Sequence, residues 1–594
     1  MLHRSFWSMM SVLAFSGLLL PLRSQTSTSS EHQNQVFKTS ARLVVLDVVV
    51  TGKNHKPLTG LQQQDFLVSE DGTRQTIKNF EEHTAAEPLQ VTSPELPPNM
   101  FTNVPRVKPN GSVTVMVLDS LNTPLDDQRF VHAQVLKYIK KPEPGQRVAI
   151  FTLQSRLRMI QGFTDDPSLL AAAVNDKKNG VGRQVPQLMQ SDAETAATQE
   201  TEAALMVWAP EAAADMQQFA AEEGSDRSNV RLRETLQAFQ DLAHYLAGFP
   251  GRKNVVWFSG AFPVAILPDP TLIHEFGAQR DDQEEIRKTS ALLTAAQIAI
   301  YPVGAEGLTT NPTYNAGADS RLVQQSQLSQ PQVVTKELNA NHAAMDVIAK
   351  ATGGEAFYST NDLNDALQRI LAHGSNFYTL TYTSTNPATD GKFRRIDVKL
   401  VRPGYQLDYR RGYYADTAKT AASPSPAPPP NADLLSAFLH PGSPESTEVP
   451  LTLRVVPTKI SAKASAVAAI KGDNPGLKEA VNRYAVDLMI PARGLQFDTA
   501  ADGHRHVRLQ AGLFLFTRDG RLANWLLRQV NLNLDDAHYA IVQADGINLY
   551  FEIDGPADSV SLRGGVYDKN SDLAGTVIVP LKNLVSPAPS STGF

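Results

Sequence analysis

Cysteine is absent from this chain of 594 residues. Its absence excludes disulfide bonds, cysteine-ligated zinc, iron–sulfur clusters and a thiol nucleophile. A lipid attached to a cysteine behind a signal peptide is excluded as well. Exported eukaryotic proteins of this size usually carry disulfides, so an exported chain without cysteine is typical of a bacterial periplasmic or secreted protein.

The chain also lacks a large excess of positive or negative charge, and it has no long apolar run beyond its first 24 residues. Its net charge is -6, and no cluster of lysine and arginine stands out, which argues against nucleic-acid binding. Residues 1–24 begin with His3 and Arg4 and continue as an apolar stretch, so they are predicted to be a secretory signal peptide. No other apolar run of about 18 residues exists, and we expect no stable membrane span after removal of the signal.

The common catalytic signatures are missing too. The sequence contains no His-Glu-x-x-His, no Gly-x-Ser-x-Gly elbow and no phosphate-binding loop. His504 and His506 lie beside Asp502 and could chelate a metal, but an exposed pair next to a turn is the simpler interpretation. No pair of titratable groups is placed for acid–base chemistry. We therefore expect a protein that is not an enzyme.

What the sequence does contain is an alternation of strand and helix patterns between residues 113 and 375. Strands buried on both faces of a parallel sheet read as continuous apolar runs. Four such runs are predicted to be strands, namely residues 113–118, 147–153, 254–258 and 298–303. The alternation predicts an α/β fold, with a doubly wound, mostly parallel, Rossmann-like sheet.

The first of these strands ends abruptly in Asp119, and Ser120, Asn122 and Thr123 follow it. Ligands of open α/β sheets bind beyond the carboxyl ends of the strands. A carboxylate and hydroxyl groups at that place are oxygen ligands suited to a hard cation such as Mg²⁺. Residues 113–123 are therefore a candidate metal site.

Composition divides the rest of the chain into modules. A valine-rich strand and a hairpin around Asp71-Gly72 indicate an N-terminal β unit. Short strand patterns separated by Asp-Gly pairs indicate a β-sandwich-like C-terminal domain. The predicted boundaries are 1–24 for the signal peptide, 36–82 for the N-terminal β unit, 83–112 for a Pro-rich linker, 113–375 for the α/β domain, 376–416 for a β-hairpin extension, 417–431 for an Ala/Ser/Pro linker and 432–594 for the C-terminal β domain.

Residues 176–228 interrupt the alternation of the α/β domain. They are rich in Ala, Gln and Glu and are predicted to form a mobile, partly helical insertion. Their one apolar cluster consists of Leu205, Met206, Val207 and Trp208. This cluster either packs onto the parent domain or forms a tip at which a partner docks.

Two basic segments also allow more than one interpretation. Arg252 and Lys253 precede a core strand, where they could bind an anion, lie in a solvated loop or form an interdomain salt bridge. Residues 405–414 combine four tyrosines with Arg410 and Arg411. This pattern indicates a strand packed against another domain, or a surface on which a sugar stacks.

Four stretches of the chain resemble the von Willebrand factor A-related (VWFA-related) family of Acidobacteria. They are residues 43–80 (LVVLDVVVTGKNHKPLTGLQQQDFLVSEDGTRQTIKNF), 115–123 (VMVLDSLNT), 249–260 (FPGRKNVVWFSG) and 377–414 (FYTLTYTSTNPATDGKFRRIDVKLVRPGYQLDYRRGYY). With the spacing between them, they cover about residues 36–416. The resemblance implies an exported protein with a von Willebrand A-like core, whose sheet binds a protein partner at its upper edge.

The resemblance also implies a metal-dependent adhesion site built from three loops. It assigns Asp119 and Thr123 to the first loop and Thr164 to the second. Leu121 stands where a hydroxyl ligand is expected, and Ser259 stands where the third loop would supply an Asp. Because Mg²⁺ and other divalent cations need several oxygen ligands, the implied site is degenerate.

Two further interpretations concern the same loops. Asp165 and Asp166 adjoin Thr164 and could restore charge to the site, or they could stabilise the dipole of the following helix. Without a metal, Asp119 and Asn122 would cap the helix that follows them through its backbone N–H groups.

These observations predict an exported protein that binds another protein by adhesion or interaction. The partner would donate a carboxylate to a metal held by Asp119, Thr123 and Thr164, or would contact loops and the insertion if no metal is bound. An alternative is a periplasmic scaffold or assembly factor for envelope or secretion complexes. A hydrolase of envelope polymers is the weakest alternative.

Overall fold

The computed structural model describes residues 43–585, except 53–55, 85–95, 106–112, 141–146, 180–191, 263–264, 267–279, 282, 306–330, 359–362, 416–433, 441–442, 460–469, 479, 481 and 501. The predicted signal peptide (1–24) and Ala/Ser/Pro linker (417–431) lie outside the described residues. Among the described residues, no helix has the length and apolar character needed to span a membrane.

The helices and strands are numbered in chain order. The described helices are α1 (Leu125–Ile139), α2 (Pro167–Asn175), α3 (Asp192–Trp208), α4 (Pro210–Leu246), α5 (Gln283–Ala295), α6 (Pro331–Thr352), α7 (Leu363–Ser375) and α8 (Asp536–Asp545). The described strands are β1 (Leu43–Thr51), β2 (Phe66–Glu70), β3 (Thr73–Gln75), β4 (Ile77–His83), β5 (Met100–Thr102), β6 (Val113–Asp119), β7 (Arg147–Leu153), β8 (Leu157–Thr164), β9 (Lys253–Ser259), β10 (Ala265–Ile266), β11 (Arg280–Asp281), β12 (Ile298–Gly304), β13 (Phe377–Thr383), β14 (Phe393–Leu400), β15 (Gln406–Asp408), β16 (Gly412–Tyr414), β17 (Thr452–Lys459), β18 (Asn482–Ile490), β19 (Asp498–Thr499), β20 (Arg505–Thr517), β21 (Leu522–Leu534), β22 (Ile547–Gly555), β23 (Ser559–Asp568) and β24 (Leu573–Pro580).

Five strands form the sheet of the α/β domain, in the order β8-β7-β6-β9-β12. β6, β7, β9 and β12 are parallel, and β8 runs antiparallel to β7. A parallel bridge between Val303 and Phe357 extends the pairing beyond β12. Numbered within the domain, the order is 3-2-1-4-5, which is that of a doubly wound sheet. The four predicted strands and the α/β fold class are confirmed.

Helices cover both faces of this sheet, which explains the continuous apolar runs of its central strands. Every residue of β6, β9 and β12 is buried. Side chains of α4, α5 and α6 form the core on one face. Side chains of α1, α2 and α7 form it on the other face. Each fully buried Leu or Phe contributes roughly 1.5–3 kcal/mol to this packing.

The insertion is helical where the structure describes it. α3 and the first half of α4 form a helical hairpin, and α4 continues without a break into the core of the domain. Ala, Glu and Gln are strong helix formers, and Pro210 occupies the first turn of α4, where proline is well tolerated. The predicted end of the insertion at residue 228 therefore does not correspond to a structural boundary.

The predicted N-terminal β unit and the predicted β-hairpin extension form one module, which we call the β module. Its two sheets have the orders β15-β1-β13-β4 and β16-β14-β2-β3, so each sheet combines strands from both segments. Their apolar side chains share a single core. Asp71 and Gly72 have positive φ angles of 49° and 81° and form the turn of a hairpin, in which β2 pairs with β3, whereas β4 pairs with β13.

The C-terminal domain consists of two antiparallel sheets around a common core. One sheet has the order β22-β18-β17-β5, and the other contains β19, β20, β23 and β24, with β21 paired to β20. β5 belongs to the segment predicted to be a linker (83–112). Its residues 100–102 pair with β17, so this part of the segment is a strand of the C-terminal domain.

The C-terminal domain holds the end of α4 in place. The Thr447 hydroxyl donates a hydrogen bond to the Tyr245 carbonyl at 2.8 Å and accepts one from the Gly248 N–H at 2.8 Å. His244 Nδ1 lies 2.8 Å from Glu448 Oε1. A Cβ on Gly248 would lie 2.7 Å from the Thr447 carbonyl oxygen, so glycine is needed for this approach. One end of the long helix is therefore anchored, and its other end carries the hairpin.

Candidate functional site

The predicted site lies where the strand order of the sheet reverses. β6 and β9 are neighbours, and Leu118 pairs with Phe258, so Asp119 and Ser259 follow side by side at the carboxyl ends of the two strands. Doubly wound sheets bind their ligands in the crevice at this point. Asp119 therefore lies in this crevice, at the carboxyl end of β6.

Five hydrogen-bond donors converge on the Asp119 carboxylate. Oδ1 accepts from the backbone N–H groups of Leu121 and Asn122, both at 2.9 Å. Oδ2 accepts from the Asn122 side chain at 2.8 Å, the Trp257 indole N–H at 2.9 Å and the Ser259 hydroxyl at 2.8 Å. The loop after β6 and strand β9 therefore meet at this one side chain.

These bonds leave no place for a divalent cation on Asp119. A carboxylate offers about four lone-pair positions, and five donors occupy them. The cavity beside Asp119 has a volume of about 10 Å³, which is at the lower limit for a single water molecule. Mg²⁺ usually keeps several of its waters when it binds a protein. The residues at this position therefore do not fit Mg²⁺.

The chain itself provides a positive charge near Asp119. Burial raises the pKa of Asp119, and the hydrogen bonds from Asn122, Ser259 and Trp257 oppose this rise. Arg231 of α4 interacts electrostatically with Asp119. Burial lowers the pKa of the Arg231 guanidinium, and the charge of Asp119 opposes that lowering.

Thr123 joins the same network, but it is not directed at an open site. Its hydroxyl accepts a hydrogen bond from the Gly260 N–H at 3.0 Å, and the residue is 1% exposed. The Gln128 side chain donates to the Thr123 carbonyl at 2.8 Å. Thr123 therefore joins the loop after β6 to the loop after β9.

Thr164 lies at the opposite end of the sheet from Asp119. It pairs with Val148 near the start of β7, whereas Asp119 pairs with Leu153 at the end of β7. Five residues of strand separate the two positions, or about 17 Å. The structure therefore does not bring Asp119, Thr123 and Thr164 together as one ligand set. Asp166 caps α2 through the Ser168 N–H at 2.8 Å, which agrees with the helix-stabilising interpretation.

The structure also contradicts the alternative in which Asp119 and Asn122 cap the following helix. α1 begins after Pro124, which makes no side-chain cap. Asp119 instead closes the turn before the helix, through the N–H groups of Leu121 and Asn122. Leu121 is completely buried in the core, so the position expected to carry a hydroxyl ligand has become a packing position.

Trp257, Thr235 and Arg231 are parts of this network that sequence reasoning missed. Trp257 precedes Ser259 by two residues, so both side chains point to the same face of β9. That alternation was the available signal for Trp257. Thr235 and Arg231 come from α4, and the Asn122 amide lies 2.8 Å from the Thr235 hydroxyl. No local pattern links a residue of α4 to the loop after β6.

Arg252 and Lys253 are buried at the junction of the α/β domain and the β module. Arg252 is 3% exposed and donates to the Tyr301 hydroxyl and the Gly353 carbonyl. Both basic residues interact electrostatically with Asp47 of β1. The solvated-loop interpretation is therefore wrong. The interaction with Asp47 is electrostatic, and no described carboxylate lies within salt-bridge distance of Arg252 or Lys253.

Lys253 makes the stability of the protein dependent on pH. It is 2% exposed, and burial lowers its pKa from 10.5 to about 8. Between pH 8 and pH 10.5 the unfolded chain binds more protons than the folded one, so this residue makes stability rise with pH. The full effect is about 3 kcal/mol. Lys253→Met should remove this rise in urea unfolding curves recorded between pH 7.5 and 10.5.

The exposed Lys350→Met variant is the control for Lys253→Met, because the Lys350 side chain is 66% exposed. It should keep the pH profile of the unchanged protein. Identical profiles for Lys253→Met and the unchanged protein would contradict a lowered Lys253 pKa.

Glu355, His373 and Asp408 form a second group of potential ligands. Their side-chain ligand atoms all lie within 4.8 Å of one another, so they could hold a metal ion. Arg369 lies 3.3 Å from Glu355, and Arg252 interacts electrostatically with Asp408. Guanidinium groups thus already balance the two carboxylates. We interpret this group as an ion-pair network between the α/β domain and the β module.

The helical hairpin ends in exposed apolar side chains, which we call the hairpin tip and which are Met206, Val207 and Trp208. Trp208 is 87% exposed, Val207 72% and Met206 49%. Leu205 is the one residue of the predicted apolar cluster that is partly buried. The interpretation that the whole cluster packs onto the parent domain is therefore wrong.

The hairpin tip stands far from the anchored part of α4 and is surrounded by negative charge. Pro210 precedes Leu232, the first core residue of the helix, by 22 residues, which corresponds to about 33 Å. Residues 192–228 contain nine acidic residues and one basic residue, a net charge of -8. Much of the chain's negative charge is therefore concentrated on the hairpin.

Comparison with known proteins gives partial structural similarities. No family model and no curated protein matches the chain. An aerotolerance-related membrane protein from Bacteroides fragilis is 12% identical over 44% of this chain and 98% of its own, with a TM-score of 0.24. The D319A mutant of the PilB minor pilin from Streptococcus sanguinis is 10% identical over 45% and 64%, with a TM-score of 0.25.

A third similar structure is proximal thread matrix protein 1 from the mussel byssus with a zinc-occupied MIDAS motif. It is 10% identical over 46% of this chain and 48% of its own, with a TM-score of 0.21. At these identities and TM-scores, the fold assignment rests on the strand order and helix packing of the chain itself.

Proposed function

We propose that this chain is an exported protein-binding protein with a von Willebrand A-like α/β core between β-sandwich-like modules. The resemblance of residues 36–416 to the VWFA-related family and the doubly wound strand order support the core. The saturated carboxylate of Asp119 supports binding without a metal. We therefore propose a role in binding another protein rather than a catalytic role.

The observation that carries the proposal is the exposure of the hairpin tip. Soluble proteins seldom place large apolar side chains together in water, and such patches mark interaction sites. Tryptophan is also the residue most enriched among side chains that dominate binding energy. A helix anchored at its far end holds the patch away from the rest of the domain.

The charge of the hairpin indicates the chemistry of the partner. With a net charge of -8 on residues 192–228, the hairpin attracts a basic surface and repels an acidic one. The partner is therefore expected to be a protein that offers an apolar groove or helix face bordered by lysine and arginine. An anionic membrane surface is disfavoured by the same charge.

An amphipathic Leu/Lys peptide of 18 residues is a suitable probe of this surface. We expect it to bind the full chain in titration calorimetry, and Trp208→Ala to weaken binding about 30-fold or more, because hot-spot tryptophans contribute 2 kcal/mol or more. Since Trp208 is 87% exposed, the substitution should leave the melting temperature unchanged. Loss of binding would therefore not be due to unfolding.

Trp525→Phe, in the C-terminal domain, is the matched control and should bind as the unchanged protein does. A peptide with glutamate in place of lysine tests the charge, and a scrambled Leu/Lys peptide without an apolar face tests the patch. Equal binding of all three peptides would contradict the proposal. So would Trp208-dependent binding to phosphatidylcholine vesicles, which would make the hairpin tip a membrane contact.

A further inference from the structure

A cleft separates the β module from two helices of the α/β domain. It has a volume of about 570 Å³, within the range of small-molecule sites. α5 and α6 line one side of it. The start of β1, the start of β14, and β16 with the two arginines before it line the other side. We call this space the module cleft.

The walls of the module cleft are largely apolar and partly open to solvent. Leu43 is 59% exposed, Val347 54% and Phe393 46% at its rim. Ile286 and Tyr413 are buried deeper in it. Such a combination of an exposed apolar rim and a buried apolar interior is typical of a ligand site.

Three arginines line the module cleft, and none of its described lining residues carries a carboxylate. Arg287 lies over the ring of Tyr414, with its charge paired to Glu284 outside the lining. Arg410 donates to the Val45 carbonyl, and Arg411 lies over the ring of Tyr409. Arg411 stacks on an aromatic face, so its guanidinium keeps N–H donors for an anion, and it also interacts electrostatically with Asp408.

Ser290 is an independent sign of a ligand. It lines the module cleft on α5 and is 7% exposed. Its hydroxyl oxygen is buried and has no hydrogen-bond partner among the described residues. A buried hydroxyl without a hydrogen-bond partner lowers the stability of the fold. Such a group in a native protein therefore usually has a functional role. A ligand oxygen in the cleft would complete this hydrogen bond.

We propose that the module cleft binds an amphipathic carboxylate, in which one carboxylate group is joined to an apolar body. The carboxylate would accept hydrogen bonds from Arg411 and the Ser290 hydroxyl, with Arg287 and Arg410 adding positive charge. The apolar body would lie between Val347, Phe393 and the buried wall. Charge-assisted bonds to a carboxylate give the site its specificity. This chemistry is shared by fatty acids and by the carboxyl end of an apolar peptide.

Titration calorimetry of the full chain with dodecanoate tests the proposal. We expect saturable binding below the critical micelle concentration, and no binding of acetate, which has the charge without the apolar body. Methyl dodecanoate, which lacks the charge, should bind at least about tenfold more weakly. N-acetyl-Leu-Leu-Phe with a free carboxyl end, compared with its amide, distinguishes a peptide from a fatty acid as the preferred source.

Two variants link binding to the residues. Arg411→Gln should weaken dodecanoate binding about tenfold or more, and Ser290→Ala about three- to tenfold. A purely structural role of Ser290 predicts no change in binding, because its hydroxyl has no partner to lose. Arg395→Gln is the matched control, since the Arg395 side chain lies in the same module and is 73% exposed. It should bind dodecanoate as the unchanged protein does.

Equal binding of dodecanoate by Arg411→Gln, Ser290→Ala and the unchanged protein would overturn the proposal. Equal affinities for dodecanoate and its methyl ester would overturn it too, because they would show that the charge is not recognised. Trp208→Ala should retain dodecanoate binding. A failure of the proposal for the hairpin tip can therefore be distinguished from a failure of the proposal for the module cleft.

Discussion

Replacing Asp119 by alanine is expected to lower the free energy of unfolding of the α/β domain by about 3–5 kcal/mol, as for other buried charged groups that lose one partner. Asp119 is 3% exposed, and the substitution removes the acceptor of five hydrogen bonds. The Asn122 backbone N–H and the Trp257 indole N–H would stay buried without this acceptor, whereas the Leu121 N–H would keep the Leu153 carbonyl and the Ser259 hydroxyl would keep the Ala261 carbonyl. Each such loss costs about 1–3 kcal/mol.

Trp257 offers a direct readout of this effect. Its indole donates to Asp119, so its fluorescence reports the state of the network during urea unfolding. Asp119→Asn keeps one acceptor oxygen and should cost less than Asp119→Ala. Asp126→Ala is the control, because the Asp126 side chain is 86% exposed in the first turn of α1. It should change stability by about 0.5 kcal/mol or less.

The same variants distinguish a closed network, in which hydrogen bonds saturate the Asp119 carboxylate, from a metal site. A cation bound to the folded state at 100 times its dissociation constant adds about 2.7 kcal/mol of stability. We expect Mg²⁺ and Mn²⁺ to leave the unfolding midpoint of the unchanged protein unaltered. A stabilisation by either ion that disappears in Asp119→Ala would show that the carboxylate binds metal, and it would contradict the closed network.

The position of this site could be predicted from the sequence, but its chemistry could not. An apolar strand that ends in Asp119 indicates a loop at the carboxyl edge of a parallel sheet. The donors from Trp257 and Ser259 are 138 and 140 residues away along the chain. Their hydrogen bonds depend on the pairing of β6 with β9, which no local pattern contains.

The error for Thr164 has a simple geometrical cause. The loop after β8 follows the β7–β8 hairpin, and β8 runs antiparallel to β7. The chain therefore returns to the lower edge of the sheet before Thr164 is reached. The direction of β8 decides at which edge of the sheet Thr164 lies. The resemblance to a three-loop site contained no information about that direction.

Long-range strand pairing also explains why the predicted module boundaries differ from the sheets of the structure. The parallel strands of the α/β domain have a local signature, because burial on both faces makes them apolar throughout. The pairing of β1 with β13 joins residues more than 300 positions apart, and so does that of β2 with β14. Apolar alternation indicates that each is a strand, but it does not identify its partner. The single β module was therefore missed.

Glu70→Ala is expected to destabilise the β module by about 3 kcal/mol or more, from the loss of a buried acceptor for several donors. Glu70 is on β2 and is 2% exposed. It accepts hydrogen bonds from the hydroxyl groups of Tyr382 at 2.8 Å, Tyr413 at 3.0 Å and Ser384. All three donors come from the second segment of the module. Glu70 thus joins residues that the sequence assigned to separate units.

Hydrogen exchange followed by mass spectrometry tests this interleaving. Because β1 to β4 and β13 to β16 share two sheets and one core, Glu70→Ala should accelerate exchange in both segments together. Glu81→Ala, with a side chain that is 70% exposed, should leave both segments protected. Glu70→Gln keeps an acceptor oxygen and should give an intermediate result. Faster exchange confined to β2–β4, with β13–β16 still protected, would mean that the two segments are independent units, and the module cleft would then lack a common wall.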